Sequence, residues 1–257
     1  SDRLPRMSDT VLVTGAAGFI GHHVVRLLRA EGRQVRALIR PGEDTRNLDE
    51  LAAADPAAGA GIERVVGDIL DRPALARHMA GCSVVYHLAA VYRTWVPDPK
   101  VIYDVNVTGA ANVLATAAAL GVRRVIHTSS IAAIGLDPAG QPAGEDTAFN
   151  LWSHAFDYVR SKYLAHQVAL AFAPVLDVVL VCPGMPLGPG DIGPTPTGKT
   201  LTITKVDDSG YRALEIDGKP ATIARLDLCN DSVVSVDTRR DQGFLNGMGI
   251  VDKATST

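Results

Sequence analysis

Short apolar runs alternate with segments of helical periodicity up to about residue 190. The apolar runs predict strands over 10–14, 34–39, 62–66, 83–88, 124–128 and 177–182. Between them, apolar residues spaced three and four apart predict helices over 21–30, 45–53, 72–80, 101–119 and 157–172. The Ala- and Gly-rich segment 52–61 is expected to be a surface loop. This alternation predicts an α/β fold, a doubly wound parallel sheet with helices on both faces.

The pattern changes beyond residue 190. A Pro- and Gly-rich loop over 191–198 precedes strand-like runs at 201–206, 211–216 and 221–228, with a further candidate at 233–236. The turn sequences Asp207–Gly210 and Asp217–Pro220 separate the first three of these runs, which is typical of a β-meander. We therefore expect a dinucleotide-binding domain over 8–190 that carries the catalytic residues, followed by a short, β-rich C-terminal extension over 191–257.

Composition and charge narrow the possible functions. A net charge of −3 gives no electrostatic reason to expect a nucleic-acid partner. No apolar run approaches the ~20 residues of a membrane helix. The first residues lack the apolar core of a signal peptide, and the three cysteines show neither disulfide nor metal-ligand spacing, so we expect a cytoplasmic protein. His22 and His23 have no ligand partner at metal spacing, and no metal site is expected.

The segment from Thr14 to Gly21 lies between the first predicted strand and the first predicted helix. Gly15 would allow a tight turn, Gly18 would let the backbone approach phosphates, and Gly21 would let the helix pack against the strand. The free N–H groups of a helix N-terminus attract anions. This arrangement predicts the pyrophosphate site of a Rossmann-type domain, with contacts from the following residues: Gly15, Ala17, Gly18, Phe19, Ile20 and Gly21.

Tyr158 and Lys162 begin a predicted helix and lie four residues apart, on one helical face. A buried ammonium beside a phenol lowers the pKa of the phenol, which would make Tyr158 a proton donor and acceptor for a carbonyl/alcohol pair. Ser130 follows the fifth predicted strand, at the sheet edge where ligands bind. A hydroxyl there could hold the substrate oxygen against Tyr158.

Together these motifs resemble the extended branch of the short-chain dehydrogenase/reductase superfamily, the NAD-dependent epimerase/dehydratase family. Within it the chain is most similar to dihydroflavonol-reductase-like proteins and to hopanoid-associated sugar epimerases. The resemblance covers about residues 8–199, and the segment after Gly198 does not match. It rests on Thr14–Gly21, Gly67-Asp68, His87-Leu88-Ala89-Ala90, Val105–Gly109, Thr128-Ser129-Ser130, Tyr158 with Lys162, Pro183-Gly184, Arg93-Thr94-Trp95 and the Pro/Gly-rich runs 188–191 and 194–198.

The resemblance implies roles for individual residues. Tyr158 would be the catalytic acid/base, Lys162 its partner and a ribose contact, and Ser130 the catalytic hydroxyl. Asn106 would support the site, although a helix N-cap is an equal alternative for it. The remaining cofactor contacts would come from Asp68, Ile69, Leu88, Ala89, Ala90, Thr128, Ser129 and Pro183. Asp68 would bond the adenine amino group, and its alternative is a turn after a strand.

The residue at the end of the second strand bears on the choice of cofactor. An acidic residue there usually bonds the ribose 2′-OH of NAD, whereas this chain has Arg40. A guanidinium can bind a 2′-phosphate through two hydrogen bonds. Arg40 therefore favours NADP(H) as the cofactor, with NAD(H) possible. The alternative role for Arg40 is to stack on the adenine ring or to face solvent.

We expect an NADPH-dependent oxidoreductase that reduces the carbonyl of a small apolar substrate. Tyr92, Trp95 and His154 are candidate substrate contacts. A nucleotide-sugar epimerase or dehydratase with tightly bound cofactor is the alternative enzyme, and a non-catalytic dinucleotide-binding sensor is the alternative outside catalysis. The resemblance also implies a homodimer formed through the helices at 101–119 and 157–172.

Overall fold

Six parallel strands form the central sheet of the protein. The computed structural model describes residues 10–93, 96–184, 186 and 188–192, and the backbone of five further strands between 201 and 235. The sheet strands are β1 (Thr10–Thr14), β2 (Gln34–Ile39), β3 (Ile62–Val66), β4 (Val84–His87), β5 (Arg124–Thr128) and β6 (Val178–Val181). They pair in the order β3-β2-β1-β4-β5-β6, which confirms the predicted doubly wound fold.

Helices connect consecutive strands. They are α1 (Phe19–Ala30), α2 (Arg46–Ala54), α3 (Pro56–Gly59), α4 (Arg72–Met79), α5 (Lys100–Tyr103), α6 (Gly109–Ala119) and α7 (Asp157–Phe172). One π-helical turn, Asp104–Thr108, joins α5 to α6, so the predicted 101–119 helix is continuous but not uniform.

The prediction of a surface loop over 52–61 is wrong. Helix α2 continues to Ala54, and α3 begins directly afterwards. The Asp55 side chain accepts a hydrogen bond from the Ala58 backbone, and Pro56 occupies the first helical turn. An acidic N-cap followed by proline is a helix-start signal, which the Ala- and Gly-rich composition obscured.

Each face of the sheet has its own apolar core, because successive strand residues point to opposite faces. Leu12, Val85 and Val125 face α4, α6 and α7, where they pack with Leu114 and its neighbours. The other face packs against α1 and α2 through a cluster of buried residues that includes Val11, Val13, Val25, Val35 and Leu48. Burial on both faces is typical of parallel sheets, and each fully buried aliphatic side chain stabilises the fold by about 1.5–3 kcal/mol.

The strand order reverses between β1 and β4. The chain passes from β1 outward to β3, and then returns to β4 on the other side of β1. The helices that follow β1 and β4 therefore lie on opposite faces of the sheet, and a crevice forms at the carboxyl ends of these strands, where ligands bind in open α/β sheets.

The chain divides after Gly184 into two units, and the second is described separately. It contains an antiparallel sheet of β7 (Leu201–Val206), β8 (Arg212–Ile216) and β9 (Lys219–Thr222), and a ladder of β10 (Arg225–Asp227) with β11 (Ser232–Ser235). The single strand expected over 221–228 is wrong, because Thr222 and Arg225 belong to different sheets. No helix in the described part of the chain has the length and apolar character needed to cross a bilayer.

Candidate active site

The turn after β1 brings the amino end of α1 against the segment that follows β4. Gly15 has a φ of +67°, and a Cβ on it would lie 2.8 Å from the Ala89 backbone nitrogen. A Cβ on Gly21 would overlap the Gly15 carbonyl oxygen. Hydrogen is the only side chain that fits at these two positions, so the backbone can approach both a ligand and the neighbouring helix.

The amino end of α1 is suited to an anion. Gly18 is its N-cap, Phe19 and Ile20 begin the helix, and the first turn contains no acidic residue. Ala17 is buried, and its carbonyl accepts a 3.1 Å hydrogen bond from the side chain of Asn47 on α2. This bond holds the turn in place. Unpaired N–H groups and the helix dipole favour a phosphate here, so this cradle fits the pyrophosphate of a dinucleotide.

Arg40 lies at the carboxyl end of β2, on the crevice side of the sheet. Its side chain is exposed, and its backbone nitrogen donates a 2.8 Å hydrogen bond to the Glu43 carboxylate. A guanidinium and a carboxylate therefore occupy the same turn, one able to bind a 2′-phosphate and the other a 2′-hydroxyl.

Asp68 and Ile69 follow β3. The Asp68 carboxylate accepts a 2.8 Å hydrogen bond from the Leu70 nitrogen, as the turn alternative predicts, and the residue is half-buried. Ile69 is 5% exposed and contacts Gly109 at the start of α6, where a Cβ on the glycine would collide with it. The Ile69 side chain therefore belongs to the core beneath α6.

The segment after β4 is attached to β1 through Thr14. The Thr14 hydroxyl accepts 3.2 Å hydrogen bonds from the backbone nitrogens of Leu88 and Ala89. It also lies 2.7 Å from Nδ1 of the buried His87 ring. These bonds hold Leu88, Ala89 and the exposed Ala90 along the crevice, beside the Gly15 turn.

Lys162 is buried under the carboxyl end of β5. Its ammonium donates a 2.8 Å hydrogen bond to the Thr128 carbonyl, and the side chain is 5% exposed. Burial lowers the pKa of Lys162 to about 8, while Cys182 opposes this shift. Ser129, the next strand-end residue, forms a 2.8 Å hydrogen bond with Nδ1 of His166 on α7.

Tyr158 lies at the start of α7, and its phenol is close enough to Ser130 for the serine hydroxyl to influence its pKa. Burial raises the pKa of Tyr158 to about 12, and the Ser130 hydroxyl lowers it in part. The expectation that Lys162 lowers this pKa is wrong for the protein alone, since the Lys162 ammonium is bound to Thr128 and burial of the phenol dominates. The Tyr158 phenol is therefore protonated at neutral pH.

Asn106 lies inside the π-helical turn with 3% of its surface exposed. Its amide oxygen accepts from the Val91 nitrogen at 2.7 Å, and its amide nitrogen donates to the Val91 carbonyl at 3.1 Å and to Ser161 Oγ at 2.9 Å. Ser161 in turn donates to the Tyr158 carbonyl at 2.7 Å. The N-cap alternative is wrong, because Asn106 is within a continuous helix and links the crevice segment to α7.

Only part of the expected substrate side is described. The Tyr92 ring packs edge-on against Tyr158, with 4.8 Å between ring centroids, and 41% of Tyr92 is exposed. His154 is exposed and bonds Ser153, while Trp95 lies outside the described residues. The Pro183 carbonyl accepts a 3.1 Å hydrogen bond from Ile131, directly after Ser130.

Two buried histidines at the same sheet edge were not anticipated from the sequence. His87 is the last residue of β4 and His127 is the penultimate residue of β5; the two are paired in register, and their rings are 5.1 Å apart. The signal was available, since a histidine lies at or next to the end of both predicted strands.

No group of three or more potential metal ligands occurs among the described residues. His22 instead bonds the Gly18 carbonyl and packs on His23.

Comparison with known proteins agrees with this geometry. Residues 11–220 match the model of the NAD dependent epimerase/dehydratase family. A Synechocystis sp. protein named dihydroflavonol 4-reductase is 41% identical over 196 residues, which are 76% of this chain and 54% of that protein. Rice cinnamoyl-CoA reductase 1 is 34% identical over 189 residues, 70% of this chain and 54% of the relative. The chain therefore spans just over half the length of these relatives.

A comparison with solved structures agrees with the sequence comparison. The NAD complex of UDP-glucose 4-epimerase from Brucella ovis superposes with a TM-score of 0.55 at 30% identity, and the match covers 66% of this chain and 50% of the epimerase. Proteins named reductases are thus sequence relatives of this chain, and an epimerase shares its fold.

Replacement of Gly21 by Ala should abolish dinucleotide binding. The new methyl group would displace the Gly15 carbonyl and separate α1 from β1, at a cost of roughly 1–3 kcal/mol for overpacking. NADPH fluorescence titration and thermal denaturation measure the two effects. Gly144→Ala is the matched control, because a Cβ there meets no atom within 4 Å. Unchanged NADPH affinity in Gly21→Ala would contradict the assigned binding turn.

Proposed function

The chain belongs to the NAD-dependent epimerase/dehydratase family, and from this premise we propose that it is an NADPH-dependent reductase of a small, apolar carbonyl compound. The observation that carries the proposal is the position of Tyr158, whose phenol lies close enough to Ser130, at the carboxyl ends of the strands, for the serine hydroxyl to influence its pKa. Carbonyl reduction needs a proton donor at the carbonyl oxygen, and a protonated phenol can supply that proton.

Ser130, Tyr158 and Lys162 each have a separate role in the proposed reaction. When bound, the nicotinamide supplies the hydride that reaches the carbonyl carbon. The Ser130 hydroxyl orients the carbonyl oxygen, and the Tyr158 phenol gives that oxygen its proton. Lys162 keeps a positive charge beneath this edge, anchored to Thr128, and thereby favours negative charge as it develops on the oxygen.

The substrate side supports an apolar, ring-containing carbonyl compound. Tyr92 is partly exposed and its ring already packs against Tyr158, so a flat apolar group could extend this contact. The reductase names of two relatives support the same reaction class.

A nucleotide-sugar epimerase is the second candidate, because a structure of such an enzyme with NAD shares the fold. An epimerase recycles its hydride and needs no added cofactor, whereas a reductase consumes one NADPH per turnover. Incubation of the purified protein with UDP-glucose, with and without NADPH, separates the two candidates.

Replacement of Arg40 by Asp should weaken NADPH binding far more than NADH binding, because a carboxylate repels the 2′-phosphate. A loss of one charge-assisted contact corresponds to roughly tenfold or more in affinity. Competitive fluorescence titration of both cofactors measures the change. Glu43→Gln, in the same turn, is the control and should retain or improve NADPH affinity. Equal affinities for NADPH and NADH in the unmodified protein would contradict this cofactor preference.

Replacement of Tyr158 by Phe should leave NADPH affinity nearly unchanged and lower turnover by about a hundredfold or more, the scale of general acid catalysis. Turnover is followed as NADPH oxidation with an aryl aldehyde as the probe. Tyr163→Phe is the control, since Tyr163 lies on the same helix but packs against Phe149 and Trp152. Full activity of Tyr158→Phe would exclude the proposed donor.

We further propose a homodimer formed through α6 and α7. Ala111, Ala115 and Ala118 give α6 a half-exposed face of small side chains, and Val101 and Leu170 are 48% and 46% exposed. Small residues allow a second helix to approach closely, and a stable two-fold interface buries at least ~1,000 Å².

Ala115→Asp should then produce monomers in analytical ultracentrifugation at micromolar concentration, because each dimer would bury two carboxylates. Ala53→Asp is the control, an exposed alanine on α2. A monomeric unmodified protein would refute the dimer.

A further inference from the structure

One hydrogen bond between α7 and the segment after β5 has no role in the chemistry above. His166 lies one helical turn after Lys162 on α7, and its Nδ1 is 2.8 Å from the Ser129 hydroxyl. Ser129 is 3% exposed and His166 is half-buried. Removal of one partner would leave a buried polar group unpaired, so the bond joins the two elements firmly.

Backbone hydrogen bonds hold the segment after β5 in the plane of the sheet. The Ser129 nitrogen donates to the Val181 carbonyl at 2.7 Å, and the Ile131 nitrogen donates to the Pro183 carbonyl at 3.1 Å. Both acceptors belong to β6 or to the residues directly after it. These bonds run from strand to strand, so they do not determine the distance between this segment and α7, which packs on one face of the sheet.

Two side chains of α7 determine that distance. The Lys162 ammonium donates to the Thr128 carbonyl at 2.8 Å, and His166 bonds the hydroxyl of Ser129. Lys162 and His166 are four residues apart and therefore lie on the same face of the helix. His127 adds no such bond, because neither of its ring nitrogens has a hydrogen-bond partner among the described residues. A single bond would let the segment rotate about it, whereas two bonds fix its orientation.

Ser130 directly follows these two bonded residues. It is the N-cap of a short 3-10 turn over Ile131–Ala133, which contacts α7. Its Oγ accepts a 3.1 Å hydrogen bond from the Ala132 nitrogen, which restrains the side chain and leaves the hydroxyl proton available for another acceptor. The position of that proton relative to Tyr158, one turn before Lys162, therefore depends on how the preceding residues are attached to α7.

We propose that His166 is a positioning residue: by bonding Ser129, it holds Ser130 at the distance from Tyr158 that carbonyl reduction requires. This inference rests on the proposed function, in which the serine hydroxyl orients the carbonyl oxygen and the phenol gives it a proton. A misplacement of about 1 Å between such groups can lower the rate by about a hundredfold, so a hydrogen bond outside the reacting groups can control turnover.

The first test compares His166→Ala, Ser129→Ala and the double variant in NADPH oxidation with an aryl aldehyde. Each single variant should lower kcat by about tenfold or more, while the KM for NADPH changes by less than about twofold. The double variant should be no slower than the single variants, since all three lack the same bond. Losses that multiply in the double variant, or an unchanged kcat in His166→Ala, would overturn the proposal.

His166→Asn tests the bond itself. The amide of asparagine can occupy the place of Nδ1 and bond the Ser129 hydroxyl, so this variant should recover most of the kcat that His166→Ala loses. Gln167→Ala is the control, an exposed neighbour on α7 that should leave kcat unchanged. A turnover of His166→Asn as slow as that of His166→Ala would count against the positioning bond.

Hydrogen–deuterium exchange of the full chain without substrate separates this proposal from the proposed function. Peptides covering 128–134 should exchange faster in His166→Ala and regain the original rate in His166→Asn, while peptides covering 84–88 on the neighbouring strand stay unchanged. Faster exchange supports the attachment even if no carbonyl probe is reduced, and that second result would reject the proposed function alone. Unchanged exchange at 128–134 in His166→Ala would refute the attachment.

Discussion

The close approach of two backbone segments at the centre of the sheet determines the rest of the site. The turn after β1 touches the segment after β4, with no room for a side chain at Gly15. Thr14 joins the two segments by accepting hydrogen bonds from Leu88 and Ala89. This contact occurs where the strand order reverses, so it aligns the amino end of α1 with the crevice in which a dinucleotide can bind.

A second set of hydrogen bonds links this region to α7. Asn106 in the π-helical turn holds both backbone groups of Val91, just beyond the crevice segment, and also bonds Ser161 on α7. Ser161 bonds the Tyr158 carbonyl. The phenol is thereby positioned relative to the same backbone that borders the nucleotide crevice. Single π-turns of this kind often occur at functional sites, where they direct a side chain that a regular helix would point elsewhere.

The fold could be predicted from the sequence because its signals are local. Strand runs, the glycine spacing and the i, i+4 pair of Tyr158 and Lys162 each depend on neighbouring residues. The direction in which the Tyr158 pKa shifts could not be predicted from the sequence, since it depends on burial and on where the Lys162 ammonium binds. The same holds for Asn106: helical periodicity does not distinguish a π-turn from an N-cap. The unpaired state of His127 depends on contacts between β5 and α7, which no sequence spacing specifies.

The central claim is that a dinucleotide binds along the carboxyl ends of β1, β4 and β5. Hydrogen–deuterium exchange with and without NADPH tests it most directly, and the peptides at the amino ends of the strands serve as an internal control. The account predicts slower exchange in peptides covering 15–22, 88–92 and 128–131, and no change in peptides covering 31–34, 80–83 and 120–124. Protection of the second set alone, or of neither set at saturating NADPH, would contradict it.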